Sequence, residues 1–128
     1  MRSRLRVLHV DDDPETLTLV RMILDGEPDL EVVSCSGAVE ALHVVATTSV
    51  DLLLLDVMMP GTDGPGLLAE LRTRPGLDRL PALFVTAKTH PRDLEALAQT
   101  SATGIVRKPF EASALIAAVR RSAVATAI

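Results

Sequence analysis

The chain has 128 residues, of which 48% are hydrophobic and 2% aromatic, and its formal net charge is −4. This length fits one domain with an aliphatic core, and the absence of a basic run argues against direct nucleic-acid binding. A single cysteine, Cys35, excludes an internal disulfide framework and is typical of a reducing cytosol. No apolar stretch approaches the length of a membrane-spanning helix. We expect one cytoplasmic domain over residues 1–128, with no output domain.

Strand-like and helical segments alternate five times along the chain. The predicted strands cover residues 5–10, 30–34, 52–55, 82–85 and 103–106. The predicted helices cover residues 14–25, 38–46, 64–73, 91–100 and 111 to about 123. This alternation predicts an α/β domain in which a parallel sheet carries helices on both faces. In a doubly wound sheet the first and third strands lie side by side.

The central segment, residues 50–64, reads VDLLLLDVMMPGTDG. Four consecutive leucines are typical of a strand that is buried on both faces. The Pro-Gly and Asp-Gly pairs that follow predict a loop. Asp56 therefore stands where a buried strand meets a loop, which is the edge at which open α/β sheets bind ligands. It is the first candidate for a functional residue.

Polar residues follow the other strands as well. Asp11 and Asp12 come after the first strand, Thr86 after the fourth and Lys108 after the fifth. Three carboxylates at one edge repel each other by about 1 kcal/mol per pair at about 4 Å in water, so one holds a proton or a cation lies among them. Oxygen ligands without His or Cys favour Mg²⁺ over Zn²⁺. A carboxylate can also be a nucleophile that forms an aspartyl phosphate, and a hydroxyl and an ammonium would bind its oxygens.

Four motifs in this order and spacing, VDDDP, LLLLDVMMPGTDG, LFVTA and VRKPF, resemble the receiver domain of two-component response regulators. The resemblance covers nearly the whole chain. It implies a flavodoxin-like doubly wound (βα)5 fold whose five parallel strands are ordered 2-1-3-4-5. It also implies that Asp56 is the phosphoacceptor, and that Thr86 and Lys108 bind the phosphoryl group.

The resemblance further implies a Mg²⁺ site. Asp12 would be a direct ligand together with Asp56, Asp11 would act through a water molecule, and the backbone carbonyl of Met58 would complete the protein's share. Asp13 is interpreted as the N-cap of the first helix and not as a ligand. His9, inside the first strand, is predicted to be a hydrogen-bonded strand histidine and not a ligand.

The partners implied by the resemblance are a sensor histidine kinase or phosphotransfer protein and a downstream effector. Such a domain assists its own phosphorylation and dephosphorylation without being a turnover enzyme, and the resemblance also allows a homodimer. The output face would be built by the fourth helix, fifth strand and fifth helix, from Arg92 to Arg121. The family's switch couples a threonine, here Thr86, to an aromatic residue, where this sequence has Ile105. Met58 cannot orient a water molecule, and we therefore hypothesise a long-lived phosphorylated state.

Two other functions compete with this interpretation. An aspartate-based phosphohydrolase of the haloacid dehalogenase type has a second Asp two residues after its nucleophile, and this sequence has Met58 there. A pseudo-receiver would bind partners without phosphorylation. The acids, Thr86 and Lys108 argue against a pseudo-receiver, whereas Ile105 leaves it open.

Overall fold

The structure, a computed structural model, describes residues 4–88 and 90–126, the last three of them by their backbone alone. Within these residues, five strands alternate with five helices. The strands are β1 (Leu5–Val10), β2 (Leu30–Cys35), β3 (Leu52–Asp56), β4 (Ala82–Thr86) and β5 (Gly104–Arg107). The helices are α1 (Pro14–Asp25), α2 (Ala38–Thr47), α3 (Gly64–Leu71), α4 (Pro91–Ala98) and α5 (Ala112–Thr126). None of these helices is both long enough and apolar enough to cross a membrane.

The strands form one parallel sheet in the order β2-β1-β3-β4-β5. Parallel neighbours need a crossover connection, which the intervening helices supply. The predicted flavodoxin-like doubly wound fold is thereby confirmed. Because the strand order reverses between β1 and β3, the carboxyl ends of these two strands form the crevice in which this type of sheet binds ligands.

The leucine run of β3 separates the two apolar layers of the domain. Leu53 and Leu55 pack in the layer that contains α2, α3 and α4, whereas Leu52 and Leu54 pack in the layer that contains α1 and α5. All four leucines are 0% exposed. Burying one such side chain contributes about 1.5–3 kcal/mol. The central strand is therefore a main source of stability and a firm support for the residue that ends it.

The start of α1 confirms the prediction for Asp13. Its carboxylate accepts hydrogen bonds from the backbone N–H of Glu15 at 3.2 Å and from the hydroxyl of Thr16 at 2.7 Å. Pro14 occupies the first helical position, where its missing N–H is not needed. Asp13 is thus a helix cap, and its side chain is held by the helix.

Several element ends differ from the predicted ones. β3 and β4 each run one residue further, because Asp56 pairs with Val85 and Thr86 pairs with Arg107 in the sheet. β2 and α2 also extend one residue further, β5 lies one residue later, and α5 begins one residue later and runs to Thr126. α3 and α4 are each two residues shorter, because their last turns tighten into bonds between residues three apart, such as Thr100 N–H to Leu97 O at 3.1 Å.

Candidate functional site

Three acids meet at the carboxyl edge of β1 and β3. Asp11 directly follows β1 and is 0% exposed, and Asp56 is the last residue of β3 and is 5% exposed. Asp12 is exposed. One carboxylate oxygen from each of the three lies within 4.8 Å of the others. The structure therefore brings together three of the residues that the sequence assigned to a metal site.

Lys108 joins two of these acids. Its ammonium nitrogen lies 3.2 Å from Asp56 Oδ1 and 3.4 Å from Asp11 Oδ2. The backbone N–H of Lys108 donates to the carbonyl of Thr86 at 2.8 Å, which ties the end of β5 to the end of β4. The hydrogen bond between these two strands therefore helps to hold the Lys108 ammonium group beside the acids.

Burial and mutual repulsion shape the protonation of this cluster. Burial raises the pKa of Asp56 to about 6, and the charge of Asp11 adds to this rise, while Lys108 opposes it. For Lys108, burial lowers the pKa, but the attraction of Asp11 and Asp56 outweighs burial and raises the pKa above its usual value. At neutral pH the site therefore holds an ionised Asp56 that burial and repulsion disfavour.

Thr86 lies on the neighbouring strand, at the end of β4, and is 1% exposed. Its hydroxyl oxygen accepts a hydrogen bond from the backbone N–H of Lys88 at 3.0 Å. Because that bond uses only an oxygen lone pair, the hydroxyl hydrogen is free to be donated to another group. Ile105 is half-buried on β5 and packs with the same apolar layer as Phe84, its register partner.

The loop after β3 depends on a close approach that the sequence analysis did not identify. A Cβ atom at Gly64 would lie 2.5 Å from the carbonyl oxygen of Asp56 and 3.0 Å from Cα of Val57. The N–H of Gly64 donates to the carbonyl of Val57 at 3.0 Å. Only glycine lets α3 begin this close to Asp56. In the sequence, the Asp63-Gly64 pair was the signal that could have identified this position. The side chain of Met58, by contrast, is 58% exposed.

The prediction that His9 is hydrogen-bonded is wrong. Its ring is 0% exposed, and neither ring nitrogen has a hydrogen-bond partner within the part of the chain that the structure describes. Nε2 lies 3.9 Å from Asp11 Oδ2, which is beyond hydrogen-bond distance. Burial, and secondarily the charge of Lys108, lower the pKa of His9 to about 4, so the ring is neutral at neutral pH. An unpartnered buried polar group costs about 1–3 kcal/mol.

The donor set fits a hard divalent cation. The ligand atoms of this cluster are all carboxylate oxygens, and no His or Cys of the described residues belongs to it. Mg²⁺ prefers a few carboxylates and completes its shell with waters and phosphate oxygens. Asp11, Asp12 and Asp56 together therefore suit Mg²⁺ better than Zn²⁺.

Comparison with known families gives a match over most of the chain. The profile of the response regulator receiver domain family matches residues 7–120. This span contains Asp11, Asp12, Asp56, Thr86 and Lys108.

Two relatives illustrate the range of proteins that carry such a domain. The DNA-binding response regulator MtrA of Mycolicibacterium smegmatis is 37% identical over 117 residues, which are 91% of this chain and 50% of that protein. An uncharacterized 14.6 kDa protein of Leptolyngbya boryana is 33% identical over 119 residues, which are 93% of this chain and 90% of that protein. The chain thus spans about half the length of the DNA-binding relative and nearly all of the small one.

Solved structures show the same fold. A putative response regulator from Chloroflexus aurantiacus superimposes with a TM-score of 0.87 at 30% identity, covering 94% of this chain and 98% of that one. The chemotaxis protein CheY4 of Vibrio cholerae superimposes with a TM-score of 0.87 at 27% identity, covering 93% of this chain and 98% of that one. The family match, the relatives and the fold agree: this chain belongs to the response regulator receiver domains of two-component signal transduction.

Proposed function

We propose that this domain accepts a phosphoryl group on Asp56 from a partner histidine kinase or phosphotransfer protein. The observation that carries the proposal is the arrangement around Asp56, a buried carboxylate that shares one ammonium group, Lys108, with a second buried carboxylate, Asp11. Receiver domains act as phosphoacceptor switches and bind Mg²⁺ in such an acidic pocket. A cytoplasmic location is part of the proposal.

The residues that would hold Mg²⁺ are Asp11, Asp12 and Asp56, with the backbone carbonyl of Met58. When bound, the ion would offset the repulsion among the carboxylates and the charge of the incoming phosphoryl group. Asp12 is the most accessible of the three acids, because it is exposed whereas Asp11 and Asp56 are buried.

The chemistry asked of the chain itself is mostly positioning. An oxygen of Asp56 forms a bond to phosphorus while the bond between phosphorus and the donor's histidine nitrogen breaks, and that nitrogen leaves with the electron pair. The carboxylate must be ionised to attack, which the pKa of about 6 allows at neutral pH. Lys108, already 3.2 Å from Asp56 Oδ1, would neutralise charge on the transferred group.

The switch would start at Thr86, whose hydroxyl can donate to a phosphoryl oxygen as well as accept from Lys88. Movement of this side chain would loosen the packing of Ile105, which lies in the same apolar layer. The affected surface joins α4, β5 and α5, where Arg92, Arg107 and Arg121 are exposed. We propose that a downstream effector or a second copy of the domain binds this surface.

The direct test incubates the protein with Mg²⁺ and acetyl phosphate and measures its intact mass. We expect one phosphate adduct on the wild type, which is lost with a chelator and absent from Asp56→Asn. Asp63→Asn is the matched control, because Asp63 lies in the following loop and caps α3 by accepting from Gly66 N–H at 2.8 Å, a role that Asn performs equally well. A folded wild type that binds Mg²⁺ but forms no adduct would instead favour a phosphorylation-independent interaction module.

The lifetime of the adduct tests a second part of the proposal. The side chain of Met58 is 58% exposed beside the site and has no group that orients an attacking water. We therefore expect slow loss of phosphate in Mg²⁺, and Met58→Asn, which adds a polar amide, should shorten the lifetime. A wild-type half-life of seconds would contradict the expectation.

A further inference from the structure

His9 is a buried polar residue beside the site that the proposed chemistry does not use. Its side chain is 0% exposed, and in residues 4–88 and 90–126 neither nitrogen finds a hydrogen-bond partner. Buried polar groups in folded proteins are almost always paired, so an orphan beside a functional site requires an explanation. Asp11 lies close to the ring, with its Oδ2 3.9 Å from His9 Nε2.

The strand places this ring next to Asp11 and among apolar neighbours. His9 and Asp11 are two residues apart, so they point to the same side of the sheet. The register partners of His9 are Leu54 on β3 and Ser34 on β2. The hydroxyl oxygen of Ser34 accepts from Nη2 of Arg21 at 2.9 Å. Asp11 is therefore the acceptor that a small rotation of the imidazole would reach.

The hydrogen bonds of Asp11 suggest when that rotation would matter. Oδ1 accepts from the backbone N–H of Asp13 at 2.9 Å, and Oδ2 depends on Lys108 at 3.4 Å. The same ammonium lies 3.2 Å from Asp56 Oδ1. If Lys108 turns to a phosphoryl group on Asp56, as the proposed function requires, Oδ2 of Asp11 loses its ammonium partner inside a buried site.

We propose that His9 is a positioning residue for Asp11, and that its Nε2–H donates to Asp11 Oδ2 when Lys108 turns to the phosphoryl group. The donor–acceptor distance must shorten from 3.9 Å to about 3 Å. The bond holds the carboxylate in the orientation in which Oδ1 accepts from Asp13, and keeps Asp11 directed at the cation site. This inference deepens the proposed function and rests on it.

The inference is distinguished from simple packing by two variants. His9→Leu keeps most of the volume and removes the donor, and we expect a higher Tm because an unpartnered polar ring is replaced by an apolar side chain. The same variant should be phosphorylated by acetyl phosphate about tenfold more slowly, the usual effect of removing a group that orients a ligating residue. His9→Gln, whose amide can donate from a similar place, should recover most of the rate. A packing role would make rate and stability change together.

A direct readout uses the wild-type protein without turnover. Nitrogen-15 NMR of the histidine ring should show a neutral imidazole protonated on Nε2. Adding Mg²⁺ and beryllium fluoride, a phosphoryl mimic, should shift the Nε2–H signal in the direction of a stronger hydrogen bond, and adding Mg²⁺ alone should not. A ring protonated on Nδ1 in both states would overturn the inference.

The outcomes separate this inference from the proposed function. A wild type that forms the adduct, with His9→Leu reacting at the same rate, leaves the proposed function intact and overturns the role of His9. A folded wild type that forms no adduct overturns the proposed function and the role of His9 with it. A slower but more stable His9→Leu, together with the NMR shift, supports both.

Discussion

The middle of the sheet and its carboxyl edge are built from the same strands but have opposite physical characters. In the middle, Leu53 and Leu54 are 0% exposed and pack in the apolar layers on the two faces of the sheet. At the edge, Asp56 at the end of β3 and Asp11 just after β1 are buried, and burial and repulsion raise the pKa of Asp56 to about 6. Beside them, the His9 ring has no hydrogen-bond partner among the residues that the structure describes.

The difference shows how a small domain can hold several buried charged groups close together. Each buried leucine stabilises the fold by about 1.5–3 kcal/mol. The sheet bonds extend into the edge, where Val57 N–H still donates to Val85 O at 3.1 Å. Relief of the repulsion among the carboxylates at the edge is then available to a bound cation as binding free energy. Four substitutions test this division between a stabilising middle and a charged edge.

Leu53→Ala should cause the largest loss of stability. Leu53 is fully buried between Leu8 and Ala82, and its truncation should lower the free energy of unfolding by about 2–5 kcal/mol. Urea unfolding followed by circular dichroism measures this. The folded fraction should still form the Asp56 adduct. Leu19→Ala, at a residue 47% exposed on α1, is the control and should change stability by no more than about 0.5 kcal/mol. Equal stabilities of the two variants would contradict the division.

Gly64→Ala should damage both regions at once. The new Cβ would lie 2.5 Å from the carbonyl oxygen of Asp56, so the backbone must shift, at a cost of about 1–3 kcal/mol. Because the shift moves Asp56, phosphorylation should also slow. Gly37→Ala is the matched control, since a Cβ there meets nothing within 4 Å and the backbone is extended. An unchanged phosphorylation rate in Gly64→Ala would show that the loop is more tolerant than its geometry indicates.

Asp56→Asn should stabilise the Mg²⁺-free protein, by about 1–2 kcal/mol at pH 7.5. Because burial raises the pKa of Asp56 to about 6, the folded state binds this proton more tightly than the unfolded state does. The ionised side chain therefore disfavours folding above pH 6, and this effect disappears as the pH falls through 6 towards 4. Urea unfolding from pH 4.5 to 8 should show the difference between variant and wild type growing with pH. If the difference in unfolding free energy between variant and wild type did not depend on pH, the raised pKa of Asp56 would be contradicted.

Asp12→Asn should have the smallest effect on the fold and a specific effect on Mg²⁺. Asp12 is exposed, so the Mg²⁺-free stability should stay within about 0.5 kcal/mol of the wild type. Mg²⁺ raises the Tm by binding the folded state. We expect Asp12→Asn to lower the affinity for Mg²⁺ about tenfold, so this rise in Tm should be smaller in the variant. Asp13→Asn is the control, because Asn also caps α1 and the carboxylate of Asp13 belongs to the helix. If both variants lost the Mg²⁺-induced rise in Tm to the same extent, the effect would be due to net charge alone.

Much of this architecture was predictable from local sequence patterns. The leucine run, the proline at the start of α1 and the Asp13 cap are signals that act within a few residues, and the structure confirms them. The element ends were predicted less accurately. Asp56 and Thr86 belong to their strands because neighbouring strands continue to pair with them, and such pairing depends on residues distant in sequence.

The sequence by itself determined the order of the elements and the types of side chain at the strand ends, because strand periodicity, helix caps and turn residues are local properties. Tertiary structure alone decided which groups contact each other. Lys108 reaches Asp11 across 97 positions and Asp56 across 52. The same packing raised the pKa of Asp56, required glycine at position 64 and left the His9 ring without a hydrogen-bond partner in the described part of the chain. Burial and close approach exist only once distant segments have come together.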